Sequence, residues 1–478
     1  MGNLIPSAPS PDFCKRFRVA CTTAQDKVDR VWISDRSDLS ILNYLTTVCG
    51  FGGLPEPVSD NELEELITGQ AAAASTAQPD VRGHIVRTEN DDQNEARIVK
   101  EINQIISSAI RAGASDIHFE SGEHRMVCRL RVDGVLVESR QLPKETVPEI
   151  ISRLKIMSGL DIAEKRRPQD GRIRFPVDGR QVDIRVSVIP TDFGEKAVLR
   201  LLDKQSLRLE LSQLGFTPQQ LAVVKEKLAA TNGIVLVTGP TGSGKTTTLY
   251  AALQHLKSPQ VNISTVEDPI EYNLDGINQT QIRPEINLTF SSMLRAILRQ
   301  DPNIIMVGEI RDRETLEIAI RASLTGHLVL STVHTNSAVA TVTRLLDMGA
   351  EPYLLASSLR LILAQRLLRK LCATCKSPTL SEEYQAAARK LNVPLTSDAR
   401  TSVGCDACRG TGFTGRTAVY EVLPIDESIR RAMTARSSEE ELLALARSSS
   451  YATMAETSSS LINTGMTTPP EVLRELST

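Results

Sequence analysis

The run Gly239-Pro240-Thr241-Gly242-Ser243-Gly244-Lys245-Thr246 constrains this chain more than any other stretch, because it demands a strand, a loop and a helix in that order. The apolar GIVLV before it predicts a buried strand, and the TTLYAALQHL that follows Thr246, beginning with Thr247, predicts a helix. Glycines at the first, fourth and sixth places let backbone N–H groups turn inward around an anion, and the helix N-terminus adds its dipole. In such a loop Lys245 reaches the outer phosphates of a nucleoside triphosphate and Thr246 holds Mg2+, so ATP and Mg2+ are the expected ligands.

Phosphate chemistry also needs a carboxylate at the end of a neighbouring strand. Asn303-Ile304-Ile305-Met306-Val307-Gly308-Glu309 supplies one, and Thr265-Val266-Glu267-Asp268 supplies two more. Acids at strand ends are commonly just solvated, and it is the phosphate loop that favours the chemical reading. His327 and His334 lie in GHLVLSTVHTN, where they either orient groups around the outer phosphate or serve the fold. Arg295 and Arg299 are four residues apart in a short helical pattern. Like charges so placed cost a few tenths of a kcal/mol, which suits a face that meets phosphate or carboxylate. Arg185 on the polar side of its strand and Arg200 inside AVLRLL read equally as fingers toward a nucleotide or as sheet charge.

Eight cysteines include two CxxC pairs, Cys372/Cys375 and Cys405/Cys408. The beginning, MGNLIPSAPSPDF, has neither the basic nor the apolar region of a secretory signal, so a reducing compartment is expected and disulfides are not. Two such pairs then point to a tetrahedral, closed and therefore structural Zn2+ site. Gly410-Thr411-Gly412-Phe413-Thr414-Gly415 mimics a dinucleotide fingerprint but follows a cysteine pair rather than a strand, and reads as turns around the metal.

With 478 residues, several domains are expected. Residues 1–70 read as a small unit, and GQAAAASTAQPDVRGH, from Gly69 to His84, leads into a linker over 71–94. From 95 to 205 an apolar helical face (Ile98, Ile102, Ile105, Ile106, Ala109) precedes alternating strands. One pair folds about Asp133-Gly134, and a later strand turns Val182, Ile184, Val186 and Val188 inward. From 206 to 478 short apolar runs alternate with helices, as in a parallel α/β sheet. Aromatics at 4% fit helices on parallel sheet, and a net charge of −3 argues against a nucleic-acid partner. No apolar run is long enough to cross a bilayer.

Together these motifs resemble the secretion and pilus-assembly ATPases from about residue 95 onward. In that family GPTGSGKTTTLY is the Walker A loop, TVEDPIEY (265–272) the Asp box, IIMVGEIRD (304–312) an atypical Walker B and GHLVLSTVHTN (326–336) the His box. The resemblance implies a RecA-like ATPase domain with a four-cysteine zinc insert at 368–416, a PAS-like α+β domain before it, and an N-terminal docking domain. It implies Glu309 as the residue that polarises water, Glu267 assisting with magnesium, and His327 and His334 at the γ-phosphate. Arg185 and Arg200, near ASDIHFE (114–120) and RPQDGR (167–172), would close over nucleotide, and Arg295 and Arg299 would serve from the catalytic domain. A homo-hexamer is implied, cytoplasmic and peripheral at the inner membrane. Residues 1–70 would dock on the cytoplasmic domain of an inner-membrane secretion protein, and an inner-membrane platform protein would be a further partner. Serines 458–460 stand where relatives carry Asp-Gly, which touches local packing only.

Overall fold

The computed structural model describes residues 14, 18–24, 27–35, 45, 51, 53–67, 89–202, 210–449 and 451–477. The 71–88 part of the expected linker and most of FCKRF lie outside them. The chain divides into two compact units at residues 92/93.

In the first unit β1 (Val19–Ala24) pairs antiparallel with β2 (Lys27–Ile33), and β3 (Glu56–Pro57) adds in parallel to β2. Val19, Val28, Val31, Leu45 and Phe51 form its small core. A helix over 60–67 starts on Ser59, whose hydroxyl and backbone N–H both donate to the Glu62 carboxylate while the Glu62 N–H returns to Ser59 Oγ.

The second unit holds two sheets. The first has six antiparallel strands in the order β6-β5-β4-β9-β8-β7. These are β4 (Ala114–Ser121), β5 (Arg125–Val132), β6 (Val135–Pro143), β7 (Gln169–Val177), β8 (Arg180–Thr191) and β9 (Gly194–Leu202). Val132 faces Val135, so Asp133-Gly134 is the expected two-residue turn, with φ of 49° and 85°. One face is apolar: Val182, Ile184, Val186 and Val188 are at most 2% exposed and pack with helices Glu89–Arg111 and Val147–Ser158. Burying each such side chain is worth about 1.5–3 kcal/mol. The other face carries a cross-strand row, Arg172↔Arg185↔Arg200↔Asp116↔Arg131.

The second sheet has seven strands in the order β12-β11-β13-β14-β10-β15-β16. They are β10 (Gly233–Thr238), β11 (Ile263–Glu267), β12 (Asn278–Gln281), β13 (Ile304–Val307), β14 (Leu328–Val333), β15 (Leu359–Leu371) and β16 (Phe413–Pro424). All run parallel except β16. Strands β10, β13 and β14 are buried along their whole length, as the apolar runs require, and separate cores cover the two faces of the sheet. This is the α/β architecture the motif order implied. Among the described residues, no helix is long and apolar enough to cross a membrane.

Candidate active site

Parallel strands put their carboxyl ends on one rim, and crossover helices start there with their N–H groups exposed. The loop after β10 leads into helix Lys245–Leu256, with Gly239, Gly242 and Gly244 at φ of 146°, 83° and 88°. A Cβ on Gly239 would lie 2.5 Å from the Gln365 carbonyl, and one on Gly244 would lie 2.8 Å from Gln365 Nε2. Gly239 and Gly244 are needed for both conformation and space, and Gly242 for conformation alone. Lys245 Nζ curls over the loop and donates to the carbonyls of Gly239 (2.7 Å) and Pro240 (3.0 Å). Burial pulls its pKa down to about 8, opposed by the nearby Glu309 carboxylate and reinforced by Arg366. The Ser243 hydroxyl is buried with no partner among the described residues. A loop with glycines, an orphan hydroxyl and an ammonium held by carbonyls fits a phosphate chain.

Glu309 follows β13 on the same rim and is 9% exposed. Its carboxylate lies between Arg311 (2.6 Å) and His334 Nε2 (3.4 Å), the residue just after β14. The loop carrying His334 is fixed by hydroxyls. Thr335 N–H donates to Thr238 Oγ1 (2.8 Å), and Thr335 Oγ1 lies 2.7 Å from Thr238 Oγ1 and 2.6 Å from Thr341 Oγ1. Arg366 on β15 donates to the carbonyl of Gln365 and, at the limit of bonding distance, to that of Asn336. Thr246, the second residue of the helix after the loop, and Glu309, just past β13, share this rim.

His327 is elsewhere. The two histidines flank β14 at opposite ends, about 23 Å apart at ordinary strand rise. His327 Nδ1 is 2.9 Å from the Ala322 carbonyl, and its own carbonyl accepts the Gly233 N–H where β10 begins. Within one chain, only His334 of the pair stands near the phosphate loop. Arg299 also departs from its expected helical face. The helix is Phe290–Ile297, and Asp301-Pro302 ends it early, so Arg299 folds back onto the Arg295 carbonyl (2.9 Å). Arg295 meets a carboxylate, Glu314, at 2.7 Å.

Arg185 reaches from the six-stranded sheet to the loop after β11, donating to the Ile270 carbonyl at 2.6 Å and lying 3.4 Å from Glu271. Its cross-strand neighbour Arg200 rests on Asp116 at 3.1 Å. Glu267 is 3% exposed and takes bonds from Tyr250, Thr265 (2.5 Å) and Gln279 (2.9 Å). Sequence reasoning missed Tyr250, Gln279, Arg311, Thr335 and Gln365. The Arg311 signal was its position two residues beyond Glu309, on the same strand end.

The four motif cysteines converge. Their sulfurs all lie within 4.8 Å of one another, with Cys372–Cys405 at 3.9 Å, Cys375–Cys408 at 3.8 Å and Cys405–Cys408 at 3.7 Å. A tetrahedron with Zn–S of about 2.3 Å has edges of about 3.8 Å, so the set fits Zn2+. Backbone N–H groups of Gly404 and Gly412 point at Cys375 and Cys408 sulfurs (3.3 and 3.2 Å), the outer hydrogen bonds that thiolates require. The Asp133 turn touches this module, its carboxylate accepting the Gly415 N–H at 2.8 Å.

The sequence model of the Type II/IV secretion system protein family matches residues 91–474. The chain belongs to this family. Type II secretion system protein E of Pseudomonas aeruginosa is 51% identical over 384 residues, covering 80% of this chain and 76% of that one. The type IV pilus assembly ATPase PilB of Myxococcus xanthus is 46% identical over 418 residues, covering 84% and 74%. The crystal structure of the pilus retraction motor PilT with bound ADP matches 78% of this chain and 96% of its own. That match has a TM-score of 0.53 at 28% identity. The residues matched by the family model take in both sheets of the second unit together with the four-cysteine module.

Proposed function

We propose that this chain is the motor of a type II secretion system, hydrolysing ATP to drive pseudopilus assembly and the export of proteins. One observation carries the chemistry: Glu309, flanked by Arg311 and His334, stands beside Lys245 on the rim of the phosphate loop. The membership of the chain in a secretion ATPase family supports the machine. Lys245 holds and neutralises the outer phosphates, Glu309 turns a water toward the γ-phosphate, and Arg185 and Arg200 close over nucleotide from the six-stranded sheet. Zinc bound by Cys372, Cys375, Cys405 and Cys408 supplies structure rather than chemistry.

The working form is a homo-hexamer at the cytoplasmic side of the inner membrane. Its domains are 1–70 for docking on a membrane protein's cytoplasmic arm, 71–94 as linker, 95–205 as the α+β domain and 206–478 as the ATPase. Substituting Lys245→Ala or Glu309→Gln lowers turnover at least ~100-fold while circular dichroism stays that of the parent. Wild-type turnover in either would overturn the assignment. The second reading, type IV or competence pilus assembly, is favoured by the likeness to PilB. Stimulation of turnover by a secretion-system membrane arm with acidic lipid, lost on removing residues 1–70, selects secretion. Indifference to that arm selects the pilus, and DNA stimulates neither.

A further inference from the structure

Glu267 stands where a magnesium-assisting acid was expected, yet its surroundings suit another task. It ends β11, with β13 and β14 between it and β10, and only 3% of it is exposed. Oε1 accepts from Thr265 Oγ1 and Gln279 Nε2, and Oε2 accepts from the Tyr250 hydroxyl. Burial and the neighbouring carboxylate hold that phenol protonated, so Tyr250 remains a donor. Three of about four lone-pair sites are thus engaged by buried donors. Swinging out to a cation would leave those donors unpaired, a cost no exposed acid has to meet. Glu309 is already beside Lys245.

What the bonds join is the informative part. Tyr250 belongs to the helix that begins at Lys245. Gln279 accepts the Leu274 N–H at 2.6 Å and donates to the Tyr272 carbonyl at 3.2 Å, so it braces the loop after β11. Tyr272 sets its ring edge-on to Tyr250 at 4.6 Å. That same loop presents the Ile270 carbonyl and Glu271 carboxylate on which Arg185 lands.

We propose that Glu267 is a positioning residue and not a metal ligand: it is the buried post joining the helix behind the phosphate loop to the 268–279 loop, and through that loop it fixes where Arg185 meets nucleotide. This rests on the ATPase reading above.

The test uses the full chain and two readouts, Mg2+-dependent binding of a fluorescent ATP analogue and steady-state turnover. In Glu267→Gln, one of the three donors loses its acceptor; in Tyr250→Phe, only a hydroxyl is lost. Both variants should keep the Mg2+ half-saturation of nucleotide binding within about twofold of wild type. Turnover number should fall about tenfold in the first and about threefold in the second, and the double variant should be no worse than Glu267→Gln alone. A tenfold or greater rise in Mg2+ half-saturation for Glu267→Gln, with Tyr250→Phe like wild type, makes Glu267 a ligand and overturns the proposal. Unchanged turnover in both variants overturns it too. Because the binding readout needs no hydrolysis, it still decides between post and ligand if the ATPase reading fails, and the Lys245→Ala variant reports on that reading separately.

Discussion

Lys245 carries its charge in a partly buried position. Its pKa falls to about 8 because burial disfavours the ammonium, with Glu309 acting against that and Arg366 with it. In the folded chain the penalty is present in full below that pH and relieved as pH rises toward 10.5, where the unfolded chain also loses the proton. Phosphate restores the charged form, so nucleotide binding should take up a proton above about pH 8 and none well below it. Affinity for Mg·ATP is then flat to that point and falls beyond it by up to about tenfold per unit. Calorimetry at about pH 9 in buffers of different ionisation enthalpy reads the proton directly, and zero uptake would refute the effect. Lys245→Arg, which stays charged, flattens the profile. At this scale the sequence displayed the phosphate loop and the acid of β13, because their spacing along the chain is their chemistry. It concealed Gln365 and Thr335, whose roles depend on which strand lies beside β10, and periodicity within a strand says nothing about its neighbours. It also presented His327 and His334 as a pair, although a six-residue strand separates their ends.

Among the elements, the docking of the last helix, Pro469–Leu476, on β15 turns on one buried carboxylate. Burial alone would raise the pKa of Glu471, but bonds from Arg369 (2.6 Å) and Arg474 (2.7 Å) outweigh it and hold the group at about 2. Stability from this group is therefore complete above pH 4.5 and is lost as pH falls toward 2. Glu471→Gln should cost about 3 kcal/mol at pH ~7, and much less at pH ~3. Paired urea melts at the two pH values check this, and an equal loss at both would show that charge is not the cause. The helices were legible here from caps such as Thr468, which accepts the Glu471 N–H. Strand β15 was not: LRLILAQRLLRKL is rich in helix formers, and pairing with β10 and β16 overrides that preference. Local backbone chemistry likewise ended the Arg295 helix before Arg299, where Pro302 forbids another turn.

For the whole molecule, the order of apolar runs already announced parallel α/β structure, and Asp133-Gly134 announced the hairpin of the six-stranded sheet. The contact of that hairpin with the four-cysteine module, through the Gly415 N–H, joins residues far apart in sequence and had no local sign. The purified chain should carry one equivalent of zinc by atomic emission. Cys405→Ser should lose it and melt several degrees lower, since a structural site contributes binding energy to folding. A metal-free wild type with unchanged melting would refute the site. Strand β15 gives this module a fixed address. Gln365 packs under the phosphate loop, and Cys372 comes seven residues later, just past the end of the strand, about 23 Å away at strand rise. Inserting one residue between Gln365 and Arg369 would turn the strand side chains that follow it to the opposite face and displace the first sulfur relative to its three companions. The stretch between the cysteine pairs is tied down as well, with Val393 in the core and the Thr396 N–H donating to Asn463 Oδ1, so the metal site is anchored from both sides.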